Sequence, residues 1–174
     1  YIASGSNEWP ANSPMYLDRV YVNDGQGNFQ YNKSILPENY TSTSAISIAD
    51  FDQDGDQDIF VGGRITPGKY PITPESHLLV NQGGQFTDET TSLAPELLNL
   101  GMVTEAVWAD FDQDQDLDLI LSGEWMPITI MKNESGKLSN ITPKTSLNNY
   151  TGWWYSVAVG DFDHDGDLDI IGGN

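Results

Sequence analysis

The chain has 174 residues, with 26 Asp and Glu against 7 Lys and Arg, a net charge of −19 and no cysteine. That length suits one domain with a substantial core and not two comfortable ones. The charge opposes nucleic-acid phosphates and anionic lipid head groups, so neither nucleic acid nor membrane insertion is expected, and the lack of cysteine excludes disulfides, thiolate nucleophiles and zinc–sulfur sites.

With 38% apolar residues, and 5 Trp, 8 Tyr and 6 Phe, the chain can bury a core, so its acidity is not that of a disordered polyanion. No apolar run approaches a membrane span, and the opening at Tyr1, without a basic and apolar leader, reads as a soluble piece of a processed or truncated protein.

In chain order, residues 1–5 read as a short strand ending in small residues, followed by a polar stretch over residues 4–16. Residues 20–23 and a strand opening at Phe29 flank the turn Asn23-Asp-Gly-Gln-Gly, which is hairpin chemistry because Asn and Gly tolerate positive φ. A β-prone run at 45–49 leads into the acidic nonapeptide Asp50-Phe-Asp-Gln-Asp-Gly-Asp-Gln-Asp58, and Ile59-Phe-Val-Gly-Gly63 follows. After a variable segment at 63–76, residues 78–81 and Phe86 form a second hairpin, and residues 95–100 allow one helical turn. The order then repeats: a strand at 106–109, Asp110-Phe-Asp-Gln-Asp-Gln-Asp-Leu-Asp118, a strand at 119–123, and a hairpin from 130–133 to Leu138. A third copy has a strand at 157–160, Asp161-Phe-Asp-His-Asp-Gly-Asp-Leu-Asp169, and a strand at 170–173.

No sustained 3.6 period occurs, so the class is all-β. Four antiparallel strands per 50–60 residues match the blade of a β-propeller, a four-stranded meander. The single segment 1–174 then divides into repeat periods at approximately 1–58, 59–118 and 119–174, offset from the blade boundaries. Since propellers typically have about 4–8 blades, three periods predict a fragment of a larger propeller, or closure by another copy of the chain.

In each nonapeptide the carboxylates alternate, which lets a turning loop aim several oxygens at one hard cation with about 6–8 oxygen ligands. Calcium is the natural candidate, in up to three sites. By analogy with D-x-D-x-D-G loops, positions 1, 3, 5 and 9 donate side-chain oxygens and position 7 its carbonyl. The predicted ligands are Asp50, Asp52, Asp54 and Asp58 with Asp56; Asp110, Asp112, Asp114 and Asp118 with Asp116; and Asp161, Asp163, Asp165 and Asp169 with Asp167. Gly55 and Gly166 supply the sharp turn at position 6, whereas Gln115 meets a steric cost there, making the second site the weakest expectation. An EF-hand is excluded because position 12 is Val61, Leu121 or Gly172 within a β-prone run, not Glu before a helix.

These loops, the flanking I-F-V-G-G and the V-N-x-G-x-F hairpins resemble FG-GAP/VCBS repeats, the blades of integrin-like α-subunit propellers and of many secreted bacterial propellers. The resemblance implies calcium-stabilised, non-catalytic blades at an extracellular or cell-surface location, serving adhesion or the binding of a protein or glycan ligand. A lectin, or the propeller part of a secreted polysaccharide-degrading enzyme, is the alternative.

Strand alternation puts the acidic loops and the Asn-Gly hairpins on one face and the longer variable segments on the other, where binding usually resides. The candidate ligand surface comprises Trp9, Arg64, Tyr70, Trp125 and Trp153. Simpler readings stand beside them: Arg64 as a local carboxylate partner, Trp153-Trp154-Tyr155 as packing. Phe51, Trp108, Phe111 and Phe162 are expected to pack between blades. Glu8, Glu75, Glu105 and Glu124 form no recognisable acid/base pair, and neither His77 nor His164 has a visible catalytic companion.

Overall fold

The computed structural model describes all of residues 1–174 and is built from antiparallel sheets. The first sheet pairs β1 (Tyr21–Asn23) with β2 (Phe29–Tyr31), and an isolated bridge between Ile2 and Arg19 adds the edge of a third strand. The second is a four-stranded meander of β3 (Ser42–Ala49), β4 (Asp58–Ile65), β5 (His77–Gln82) and β6 (Gln85–Asp88). The third repeats it with β7 (Met102–Ala109), β8 (Asp118–Met126), β9 (Thr129–Asn133) and β10 (Leu138–Asn140), and β11 (Gly152–Trp153) pairs with the far end of β8. The last sheet pairs β12 (Ser156–Gly160) with β13 (Asp169–Gly173). Short helical turns lie between sheets, including α1 (Thr90–Leu93) and Pro95–Asn99, so the helical segment begins earlier than residues 95–100.

Alternation along the strands divides each central sheet between two neighbours. Ile59 and Val61 pack with Leu79 against Tyr1, Leu36 and Phe86 on one face, while Phe60, Leu78 and Val80 face Leu119, Leu121 and Met131 of the third sheet on the other. Ile120 and Ile130 then meet Val157, Trp154 and Ile170 across the next seam. A one-residue register slip would reverse these assignments, so the cores on both faces fix the pairing. The small residues ending the second strand of each repeat permit close approach: a Cβ on Gly63 would lie 2.3 Å from the Glu75 carbonyl oxygen, and one on Gly123 2.4 Å from that of Met102.

Bulges in β3 and β7 leave Ser44 and Thr104 outside the ladder. Their hydroxyls donate to the carbonyls of Val103 and Trp154, tying each sheet to the next. Phe51 is buried and stacks on Trp108 with centroids 5.7 Å apart, and Phe111 packs at the following seam. Phe162 departs from expectation. It is half-exposed, because the outward face of the β12–β13 sheet has no neighbouring sheet in this structure.

Candidate functional site

The three acidic loops join the first two strands of each repeat and reproduce one hydrogen-bond pattern. The position-1 carboxylate accepts from the backbone N–H at position 6: Gly55 to Asp50 (3.1 Å), Gln115 to Asp110 (3.1 Å), Gly166 to Asp161 (3.2 Å). At position 5, Asp54, Asp114 and Asp165 accept from the N–H at position 7, over 2.8, 3.0 and 2.9 Å. At position 9, Asp58, Asp118 and Asp169 accept from the N–H of the Phe at position 2, over 3.4, 3.1 and 3.1 Å. Each loop is thereby coiled, with side-chain oxygens turned inward.

The loops bring together carboxylate oxygens of Asp50, Asp52 and Asp58, of Asp110, Asp112 and Asp114, and of Asp161, Asp163 and Asp169, each set within 4.8 Å. In all three, Oδ1 of the first aspartate (Asp50, Asp110, Asp161) is buried without a hydrogen-bond partner. A buried, unpartnered carboxylate oxygen is costly. Three such atoms at one repeat position, beside two further carboxylates, form a donor set that fits a hard cation. Position 7 points elsewhere: Asp56 accepts from Gly83 N–H and Asp116 from Ser135 N–H, which docks the hairpin turns on the acidic loops.

The hairpin asparagines, expected on this face, and Lys132, which carries no such expectation, also join the region. Asn81 and Asn133 donate their backbone N–H groups to Asp58 and Asp118 (2.8 Å each), while their side-chain oxygens accept from Gly84 and Gly136. One asparagine thus anchors the ninth position and closes the hairpin. Lys132 stands where the other hairpins have Val22 and Val80, and its ammonium bonds to Asp112 and reaches Asp114 at 3.3 Å. A basic residue immediately before the hairpin Asn was the available signal.

The electrostatics follow this geometry. Burial, with the charges of Asp52 and Asp54, pushes the Asp58 carboxyl up to about 6 against the bonds from Asn81 and Phe51. Burial also raises Asp52 and Asp118. In the second loop, the Asp116 N–H and then Lys132 hold Asp114 below the usual range, and the carboxylates raise Lys132 in turn. Lys132 already supplies that loop with positive charge, and Gln115 adopts a φ of 77° there.

At the far end of the strands the structure assembles aromatic residues. Trp125, in β8 with a φ of 60°, is 60% exposed between buried Glu124 and Met126. Its indole N–H donates to the Tyr70 hydroxyl at 2.8 Å; its ring lies 5.5 Å from that of Trp153, and Trp153 lies 6.4 Å from Tyr155. Arg64 donates through Nε and Nη2 to Glu124 Oε1 at 2.8 and 2.6 Å, so it is a carboxylate partner between adjacent sheets. Of the five candidate ligand residues, Tyr70, Trp125 and Trp153 come together, Arg64 pairs with Glu124 next to Trp125, and Trp9 sits apart, its backbone bonded to the Tyr16 hydroxyl. The run 153–155 divides: Trp154 packs into the seam, and Trp153 and Tyr155 face solvent. Tyr155 was missed because alternation was hidden in three consecutive aromatics.

His77 has hydrogen-bond partners that serve the fold, not a catalytic arrangement. Its ring lies between Thr41 (3.0 Å), which precedes β3, and Asp88 (2.8 Å), and Asp88 also accepts from Thr90, a chain that ties β5, β6 and α1 to the start of β3.

The successive antiparallel sheets and their repeated loops define a propeller-type repeat scaffold. Residues 2–61 and 110–172 match the FG-GAP-like repeat family, and the chain belongs to that family, whose members are generally non-catalytic scaffolds and typically extracellular. No curated protein matches the chain. No helix is long and apolar enough to cross a membrane.

Proposed function

We propose that this chain is a calcium-stabilised scaffold of an extracellular or cell-surface protein, presenting a ligand-binding end opposite its metal loops. The observation that carries the reading is the buried, partnerless Oδ1 of Asp50, Asp110 and Asp161. Asp50, Asp52 and Asp58 would hold one ion and Asp161, Asp163 and Asp169 another, with the carbonyls of Asp56 and Asp167 available because the Asp56 carboxylate is turned to the hairpin and that of Asp167 to Gln113. Asp110, Asp112 and Asp114 would hold a third more weakly, since Lys132 competes for the same oxygens. A bound ion supplies positive charge that neutralises like charges and locks the loops, and binding only the folded form stabilises it by mass action.

Further blades, in the parent protein or a second copy, would cover the outer sheet faces. Ile120 is buried, whereas Ile171, at the equivalent position two residues after the last loop aspartate, is 53% exposed. Phe29 is exposed where Leu138 is buried.

Thermal melting during calcium titration tests the metal reading. Calcium should raise the melting temperature and a chelator reverse it, with Asp50→Asn and Asp161→Asn each removing one tight site from the calorimetric isotherm. An unchanged melting temperature across the titration would reject it.

A further inference from the structure

We propose that Tyr70, Trp125, Trp153 and Tyr155 form a platform for neutral sugar rings of an oligosaccharide chain. This deepens the scaffold reading and rests on it, because the platform draws its residues from the β4–β5 connection, the end of β8, β11 and the approach to β12.

The four rings are connected and preset. The Tyr70 hydroxyl accepts the Trp125 N–H, which fixes the indole and leaves its face open, and Trp153 and Tyr155 continue the row at centroid spacings of 5.5 and 6.4 Å. Rings oriented before a ligand arrives lose little entropy on binding. Their exposure does not serve packing. Trp125 holds a left-handed backbone conformation inside a strand, strained for a residue with a Cβ, and uses it to project a 60% exposed indole. Backbone strain kept in order to display a side chain is characteristic of binding sites. A contiguous exposed aromatic patch is characteristic of interaction surfaces.

Charge selects the ligand class. Trp125 lies seven residues along β8 from Asp118, about 23 Å at ~3.3 Å per residue, well beyond a Debye length of about 8 Å at physiological ionic strength. Glu124, the carboxylate next to Trp125, is paired with Arg64, Glu105 accepts from Val157 N–H at the β12 end, and Lys69 adjoins Tyr70. The carboxylate nearest Trp125 is thus neutralised within the platform, and the net charge of −19 disfavours polyanions. A sugar ring presents C–H groups on its faces, which suit the negative faces of aromatic rings, and hydroxyls at its edge. Arg64 Nη1, outside the ion pair, can donate to such a hydroxyl. A cavity of about 380 Å³ beside Trp125, lined by Pro71, Thr73, Leu100 and Glu124 among others, gives the chain a place to continue.

The test uses the full chain in saturating calcium, with tryptophan fluorescence and calorimetry, against cellohexaose, xylohexaose, mannohexaose and maltohexaose, with hexalysine and hexagalacturonate as charged comparators. At least one neutral oligosaccharide should shift the emission saturably, with little dependence on NaCl. Its affinity should fall about tenfold, as for loss of a stacking anchor, in Trp125→Ala and in Trp153→Ala, and less in Tyr70→Phe. Tyr155→Ala, at a ring with no side-chain hydrogen bond, keeps the test usable should a tryptophan variant fail to fold. No response to any neutral oligosaccharide, preference for hexalysine or hexagalacturonate, or unaltered affinity in folded Trp153→Ala and Tyr155→Ala would each overturn the proposal. A melting temperature that ignores calcium while sugar binding persists would reject the metal reading alone.

Discussion

Gln115 stands at the sixth loop position with a φ of 77°, where Gly55 and Gly166 each have 96°. A left-handed conformation costs a residue with a Cβ about 1–2 kcal/mol, and glycine's greater unfolded-state entropy returns about 0.5–1 of that. Gln115→Gly should therefore stabilise the metal-free chain by ~1 kcal/mol in denaturant unfolding, keeping the backbone carbonyl to which Gln53 donates. Asp88 gives a pH prediction. Burial acts to raise its pKa, but bonds from His77 and from the hydroxyl and N–H of Thr90 outweigh it and hold the group at about 2. A carboxyl depressed in the fold stabilises above its unfolded pKa, about 3.9, and loses that contribution as pH falls towards 2. Wild type should lose more stability between pH 4 and pH 2 than Asp88→Asn; parallel acid melting curves for the two proteins would contradict this. At this scale the alternating aspartates and the glycines at position 6 were legible in the sequence, because turn chemistry is local. Lys132 was not, because its meaning depends on a loop 20 residues earlier that strand pairing brings alongside.

Adjacent loops are linked by a side chain at position 4. Gln53 Nε2 donates to the Gln115 carbonyl (2.9 Å) and to Asp116 (3.0 Å), and Gln113 Nε2 donates to the Gly166 carbonyl (2.7 Å) and to Asp167 (3.3 Å). Ordering one loop should therefore help order the next. Gln113→Ala should weaken calcium binding at the third loop and reduce cooperativity in the isotherm, while the first loop keeps its affinity; an isotherm superposable on wild type would remove the coupling. The meander of strands was readable from periodicity and hairpin residues. The pairing of β11 with β8 was not, since two residues carry no period and pair only because the seam places them there.

For the whole molecule, 26 acidic residues against 7 basic ones make the metal-free fold self-repelling. Three divalent ions would take the charge from −19 to −13. Adding NaCl should raise the melting temperature of the chelated protein more than that of the calcium-saturated protein, because screening and bound ions relieve the same repulsion. Equal shifts would show that loop charge does not limit stability.

The sequence by itself determined the all-β class, the repeat and the three acidic loops, since alternation, turn residues and ligand spacing are encoded within a few neighbouring positions. The tertiary structure alone decided which aromatics are displayed. Trp153, Trp154 and Tyr155 differ in fate not through their chemistry but through which of them meets Ile120 and Ile130 across the seam, and Trp125 reaches Tyr70 only where two separate sheets pack together.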